Sequence, residues 1–151
     1  MYESVGWNTL HLPREDTMET PLLPPLTILV VEDETGFANA LAVLLRRDGH
    51  TVETAANGRV ALEQVHARQY DLILCDLHLP ELDGPALYQR LQTDVSDLHQ
   101  RVIFLTGDTL NPATIEFLEH HHLVWLAKPC RAAQVREVVR HHARRLRREA
   151  V

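Results

Sequence analysis

From Leu26 onward the sequence alternates five times between a short apolar run and a stretch with helical periodicity. Thr27-Ile28-Leu29-Val30-Val31 comes first, β-branched and uninterrupted, as suits a strand buried on both faces, and it ends on Glu32-Asp33-Glu34. Phe37, Leu41, Leu44 and Leu45 then recur at helical spacing, and Gly49 closes that helix. Thr51–Ala55 is a second strand, and Asn57-Gly58 opens a helix with Val60, Ala61 and Val65 on its apolar side. Tyr70–Cys75 is another buried run, again followed by an acid, Asp76. Asp83 caps the next helix, with Pro85 in the first turn where a missing N–H is harmless. Val102–Leu105 is the fourth strand and Leu123–Ala127 the fifth, separated by a helix announced by Asn111-Pro112. The last helix begins near Arg131 and lines one face with Val135, Val138, His142 and Leu146.

Strict strand–helix alternation implies a parallel sheet covered by helices on both faces. Right-handed crossovers then leave few topologies, and for five strands the expectation is a flavodoxin-like (βα)5 doubly wound sheet of order 2-1-3-4-5. In such a sheet ligands bind beyond the carboxyl ends of the strands, near the point where strand order reverses. Strand one delivers Glu32 and Asp33 there, strand three Asp76, strand four Thr106 and strand five Lys128. Two carboxylates ~4 Å apart repel by about 4 kcal/mol at an effective dielectric near 20. Either one takes a proton or a divalent cation sits between them. An all-oxygen set suits Mg²⁺, which accepts one or two carboxylates and leaves room for a phosphate oxygen. Lys128 would add a compact positive charge and Thr106 a hydroxyl donor, the parts that stabilise a transferring phosphoryl group, with a carboxylate as nucleophile. Lys128 is the single lysine among fifteen basic residues, and the planar fork of an arginine would not replace it without altered geometry.

The rest of the composition narrows the field. A chain of 151 residues is the size of one ordinary domain, and 45% hydrophobic with 24% charged residues is a normal globular balance. Residues 1–25 differ: Pro13, Pro21, Pro24 and Pro25 with Glu15, Asp16 and Glu19 read as a tail or linker ahead of a domain over 26–148. No apolar run approaches the ~18 residues of a membrane helix, and no secretory leader is read at the N-terminus. Cys75 and Cys130 make no disulfide framework, so a cytoplasmic location is expected. Seven arginines against two glutamates give residues 131–151 a charge of +5, whereas the preceding 130 carry −11. An acidic body favours a cation over nucleic acid, and the arginine-rich last helix, lacking a stacking aromatic, reads as a solvated face. His120-His121-His122 and His141-His142 lack the i, i+4 spacing of helical metal ligands and read as solvated helix ends. Cys75 points away from the acids into the core.

Four segments, Ile28–Glu34 (ILVVEDE), Asp76–Gly84 (DLHLPELDG), Phe104–Asp108 (FLTGD) and Ala127–Pro129 (AKP), resemble the receiver domains of two-component response regulators. The match runs from about Leu26 to Arg140 in the family's order and spacing. The resemblance implies that Asp76 is the phospho-acceptor, that Asp33 binds Mg²⁺ directly with Glu32 assisting through water, and that the backbone carbonyl of His78 completes the metal shell. It implies phosphoryl contacts from Thr106 and Lys128, a cis bond at Lys128-Pro129, and a switch position at Trp125. There Trp125 is bulkier than the usual ring, and its N–H needs a partner if the ring turns inward. Leu79 replaces a common Met and Cys130 a common Phe, the latter loosening the packing under the last helix. His78 and Asp108 fall at positions that tune phosphoryl lifetime. Gly6-Trp7-Asn8-Thr9-Leu10-His11-Leu12-Pro13 also resembles the last strand of a histidine-kinase ATP-binding domain, which would make this the receiver of a hybrid kinase.

The implied function is acceptance of a phosphoryl group from a histidine kinase or phosphotransfer protein, switching contacts with a downstream protein partner. The domain would be a phosphoacceptor and not an enzyme, with no nucleic-acid or membrane contact and a homodimer possible through the helix 4–strand 5–helix 5 face. A stand-alone regulator and a Mg²⁺-dependent phosphohydrolase are the alternatives. The latter lacks the D-x-D-x-[TV] signature of aspartate-nucleophile phosphatases. A flavodoxin-type redox carrier lacks a hydroxyl- and glycine-rich loop after strand one.

Overall fold

The computed structural model describes residues 24–95 and 97–149. Most of the expected linker, and the kinase-like Gly6–Pro13 within it, lie outside the described residues. The elements are β1 (Thr27–Val31), α1 (Thr35–Arg47), β2 (Thr51–Ala55), α2 (Gly58–Ala67), β3 (Leu72–Asp76) and α3 (Gly84–Asp94). A 3₁₀ turn (Leu98–Arg101) leads into β4 (Val102–Thr106), α4 (Pro112–His120), β5 (Val124–Ala127) and α5 (Ala132–Glu149). All strands are parallel in the order β2-β1-β3-β4-β5, the topology expected for five alternating strand–helix units. The central strands β3 and β4 are buried at every residue, which explains their unbroken apolar character.

Two apolar layers sandwich the sheet. One packs Val31, Ile73, Cys75 and Phe104 against α2, α3 and α4; the other packs Ile28, Val30, Leu74 and Leu105 against α1 and α5. Local chemistry sets the helix ends. Asn57, Asp83 and Asn111 each accept a backbone N–H in the following first turn at 2.8–2.9 Å. Gly49 closes α1 with φ +97°, and the bonds Gly49 N–H to Arg46 O and His50 N–H to Leu45 O satisfy carbonyls the helix leaves open. β3 starts at Leu72, later than the apolar run suggests, because Asp71 is used otherwise: its N–H donates to Thr27 O, and its carboxylate accepts from Thr27 N–H. Among the described residues no helix is long and apolar enough to cross a membrane.

The solvated reading of the histidines holds only in part. His120 and His122 are exposed, but His121 packs its ring 5.0 Å from the centroids of Tyr88 and Phe117. His142 is buried on the apolar face of α5, one turn beyond Val138, where Nδ1 lies 3.1 Å from Val138 O. Helix phase overrides the polarity of the residue, and the backbone carbonyl satisfies the ring. Burial drives the His142 pKa down to about 4.

A histidine whose folded pKa lies below its unfolded value contributes stability that is complete above about pH 6.5 and lost as pH falls toward 4. At pH 5 the loss is about 2 kcal/mol. Urea unfolding midpoints at pH 7 and pH 5 are expected to separate less in His142→Leu than in the parent chain.

Candidate functional site

The sheet register decides which side chains meet. Val31 pairs with Cys75, so the residues just after β1 lie beside the last residue of β3. Glu32 remains in line because its N–H donates to Ala55 O at 3.0 Å. One carboxylate oxygen from each of Glu32, Asp33 and Asp76 then lies within 4.8 Å of the others. Glu32 and Asp76 are buried at 3% and 8% exposure, while Asp33 faces solvent. From β5 the Lys128 Nζ donates to Glu32 Oε1 at 2.9 Å and to Asp76 Oδ2 at 3.2 Å, and it stands 4.8 Å over the Phe37 ring. The Lys128-Pro129 bond is cis. Cys75 is fully buried with its thiol pushed well above the ordinary range, mainly by burial, so it is inert core.

The loop between β3 and α3 is pressed onto the site by two glycines. A Cβ on Gly58 would stand 1.9 Å from Leu82 O, and one on Gly84 2.8 Å from Leu77 O. That packing places His78, whose N–H donates to Asp76 Oδ1 at 3.3 Å. Thr106 is fully buried at the end of β4, and its Oγ1 accepts the N–H of Asp108 at 3.0 Å. Asp108 Oδ2 in turn gathers Asn111 Nδ2 at 3.0 Å, Thr114 Oγ1 at 3.3 Å and His78 Nε2 at 3.1 Å. This clasp is not legible in the sequence pattern. The i+3 and i+6 spacing of Asn111 and Thr114 from Asp108 was its only sequence signal. Trp125 points inward at 7% exposure, and its Nε1–H has no hydrogen-bond partner among the described residues.

Electrostatics favours a cation here. Burial raises the Glu32 pKa to about 7; the hydrogen bond from Lys128 opposes this, and Asp76 adds to it. Burial works against the Lys128 ammonium, but the hydrogen bond to Glu32 and the charges of Asp76 and Glu32 outweigh it and raise its pKa. One ammonium therefore serves two buried carboxylates, with a third acid at the mouth. Glu32 Oε2 is buried without a partner, an unsatisfied acceptor that a divalent ion or its water shell would satisfy. The residues present fit a hard cation.

A model of the response regulator receiver domain matches residues 28–140. The chain belongs to the response regulator receiver family. A transcriptional regulatory protein, ZraR of Escherichia coli O157:H7, is 36% identical over 104 residues, 69% of this chain but 23% of that protein. The chain thus matches about a quarter of the length of that relative. Among solved structures, the signal receiver domain of a signal transduction histidine kinase from Syntrophus aciditrophicus is 32% identical with a TM-score of 0.67, covering 80% of this chain and 89% of that one. The receiver domain of the sensor histidine kinase PA1611 from Pseudomonas aeruginosa PAO1, with a magnesium ion in its active-site cleft, has 27% identity and a TM-score of 0.69 over 80% of this chain and 98% of that one. As a receiver domain, the chain is a phosphoacceptor module of two-component signalling.

The acidic cluster yields a test by sign. Asp33→Asn removes one of three clustered carboxylates, so without divalent ions it is expected to stabilise the fold by about 1 kcal/mol. In saturating Mg²⁺ the order should reverse, with the parent chain the more stable. Thermal unfolding with EDTA and with Mg²⁺ reads both signs.

Proposed function

We propose that Asp76 accepts a phosphoryl group from the phosphohistidine of a histidine kinase or phosphotransfer protein, within a receiver domain spanning residues 26–148. The observation that carries this reading is the convergence of Glu32, Asp33, Asp76 and Lys128 within hydrogen-bonding and metal-binding reach at one sheet edge. Asp33, Asp76 and the His78 carbonyl would hold Mg²⁺, with Glu32 behind them. When bound, the ion neutralises the charge gathered on the phosphoryl oxygens.

The chain's own groups supply the rest. The O–P bond forms from an Asp76 carboxylate oxygen as the donor's N–P bond breaks, and the electron pair of that bond returns to the imidazole nitrogen. Lys128 already holds Asp76 Oδ2, and its ammonium is placed to follow the charge onto the transferred oxygens. His78 N–H holds the other carboxylate oxygen and so orients Asp76. Thr106 Oγ1 accepts the Asp108 N–H, and turning its hydroxyl toward the phosphoryl group would break that bond. Asp108 is bonded to Asn111 and Thr114 at the start of α4, so that release bears on α4. Trp125, on the neighbouring strand, would follow as the aromatic partner of the switch.

The altered α4–β5–α5 face is read by a downstream protein or a second copy of the chain. The receivers of two histidine kinases among the structural neighbours support placing this domain in a hybrid kinase. Asp76→Asn is expected to abolish labelling by acetyl phosphate in Mg²⁺ while leaving the far-ultraviolet circular dichroism unchanged. Undiminished labelling of that variant would remove Asp76 from the role.

A further inference from the structure

The Lys128 ammonium has a third neighbour that the chemistry above leaves unused. Besides Glu32 Oε1 at 2.9 Å and Asp76 Oδ2 at 3.2 Å, its Nζ stands over the Phe37 ring, 4.8 Å from the centroid. A cation within about 6 Å of a ring centre is drawn to the negative face of the π-system. Phe37 lies in the first turn of α1, four residues after Asp33, so one short connection sets both the acids and the ring.

Packing alone does not ask for an aromatic there. The buried positions of α1 are Ala38, Leu41, Ala42 and Leu45, all aliphatic. Phe37 is half-buried at the border of that stripe, where it lines an open groove together with Cys130. A leucine at 37 would cover the same apolar neighbours but would offer the ammonium nothing.

We propose that Phe37 is a positioning residue for phosphoryl transfer, keeping the Lys128 ammonium in the site while its hydrogen bonds pass from the acids to the phosphoryl oxygens. This role rests on the phosphoacceptor reading of Asp76; the contact between ring and ammonium does not.

The exchange itself calls for a partner of this kind. The ammonium keeps its three protons throughout, and two of its donors are engaged by Glu32 and Asp76. As Asp76 gains the phosphoryl group, charge moves outward onto the phosphoryl oxygens, and Lys128 has to loosen one bond to make another. A further hydrogen-bond acceptor would resist, because such bonds weaken steeply once misaligned. A ring face holds the cation without a fixed donor–acceptor axis, so a small displacement across it costs little. The ring also carries no formal charge, and so adds nothing to the repulsion among Glu32, Asp33 and Asp76. Finally it keeps water from one side of a lysine whose side chain is 23% exposed, which strengthens the remaining electrostatic contacts.

Because Lys128 is the only lysine in the chain, isotope-labelled lysine gives a single side-chain signal set. Its ε-methylene protons are expected upfield of an exposed lysine in the parent and in Phe37→Tyr, through the ring current, and unshifted in Phe37→Leu. An unshifted signal in the parent would overturn the proposal. With acetyl phosphate and Mg²⁺, Phe37→Leu is expected to label about fivefold more slowly at saturating donor, with the half-saturating concentration unchanged, and Phe37→Tyr within about twofold of the parent. A ring-trifluorinated phenylalanine at position 37 keeps the shape of the ring but cancels its negative face, and it should slow labelling as leucine does, whatever leucine does to the fold. Parent-like labelling of the fluorinated chain would leave Phe37 a packing residue and overturn the proposal. The two readings fail separately. Labelling of Asp76→Asn would remove the acceptor while the lysine signal stays shifted, and a lysine signal without the shift leaves Asp76 as acceptor.

Discussion

The Lys128 ammonium, shared between Glu32 and Asp76, is the interaction on which the site depends. Two buried carboxylates and a third at the mouth form an arrangement that a folded chain accepts only with compensating positive charge. Lys128 supplies one unit of it, from just past β5, three positions from β1 and two from β3 in sheet order, so the site exists only once β1, β3 and β5 are all in place. The remaining deficit, together with the unpartnered Glu32 Oε2, is what makes the pocket receptive to a divalent ion. Residual repulsion is thus the physical source of affinity for a cation, and stability is given up for it.

The sheet carries the precision and the loops carry the response. Each acid or base stands at or just past the end of a strand, and β3 and β4 are buried at every residue and β1 at all but its first. Thr106 is equally buried, yet its hydroxyl is engaged by Asp108 and not by the acids. Asp108 also ties the β3–α3 loop, through His78, to the first turn of α4. A movement of Thr106 toward the acids would therefore disturb contacts on two elements at once. The inward Trp125 ring, with its N–H unpartnered, sits under the same region.

Much of this was legible in the sequence for a simple reason. Strands buried on both faces must be apolar throughout, so the polar residue that ends each one is conspicuous. That is how Glu32, Asp33, Asp76, Thr106 and Lys128 stand out; the alternation gives a parallel sheet, and right-handed crossovers leave few strand orders, of which 2-1-3-4-5 is the commonest. What could not be read depended on helix phase and loop packing. His142 reads both ways: its spacing puts it with Val135 and Val138 on one face of the last helix, a histidine pair beside arginines suggests solvent, and the spacing decides. The Asp108 clasp needs Asn111 and Thr114 to share a side of the first turn of α4, and the start of β3 was set by Asp71 binding back to Thr27. Close approaches at Gly58 and Gly84 are invisible without the loop that fills the missing Cβ space.

Trapping the acyl phosphate tests the central claim most directly. After incubation with acetyl phosphate and Mg²⁺, borohydride reduction converts a phosphorylated aspartate to homoserine, and peptide mass spectrometry locates it. The account expects that residue at position 76, with none formed when Mg²⁺ is chelated. Homoserine at another acid, or its formation at position 76 regardless of Mg²⁺, would contradict it.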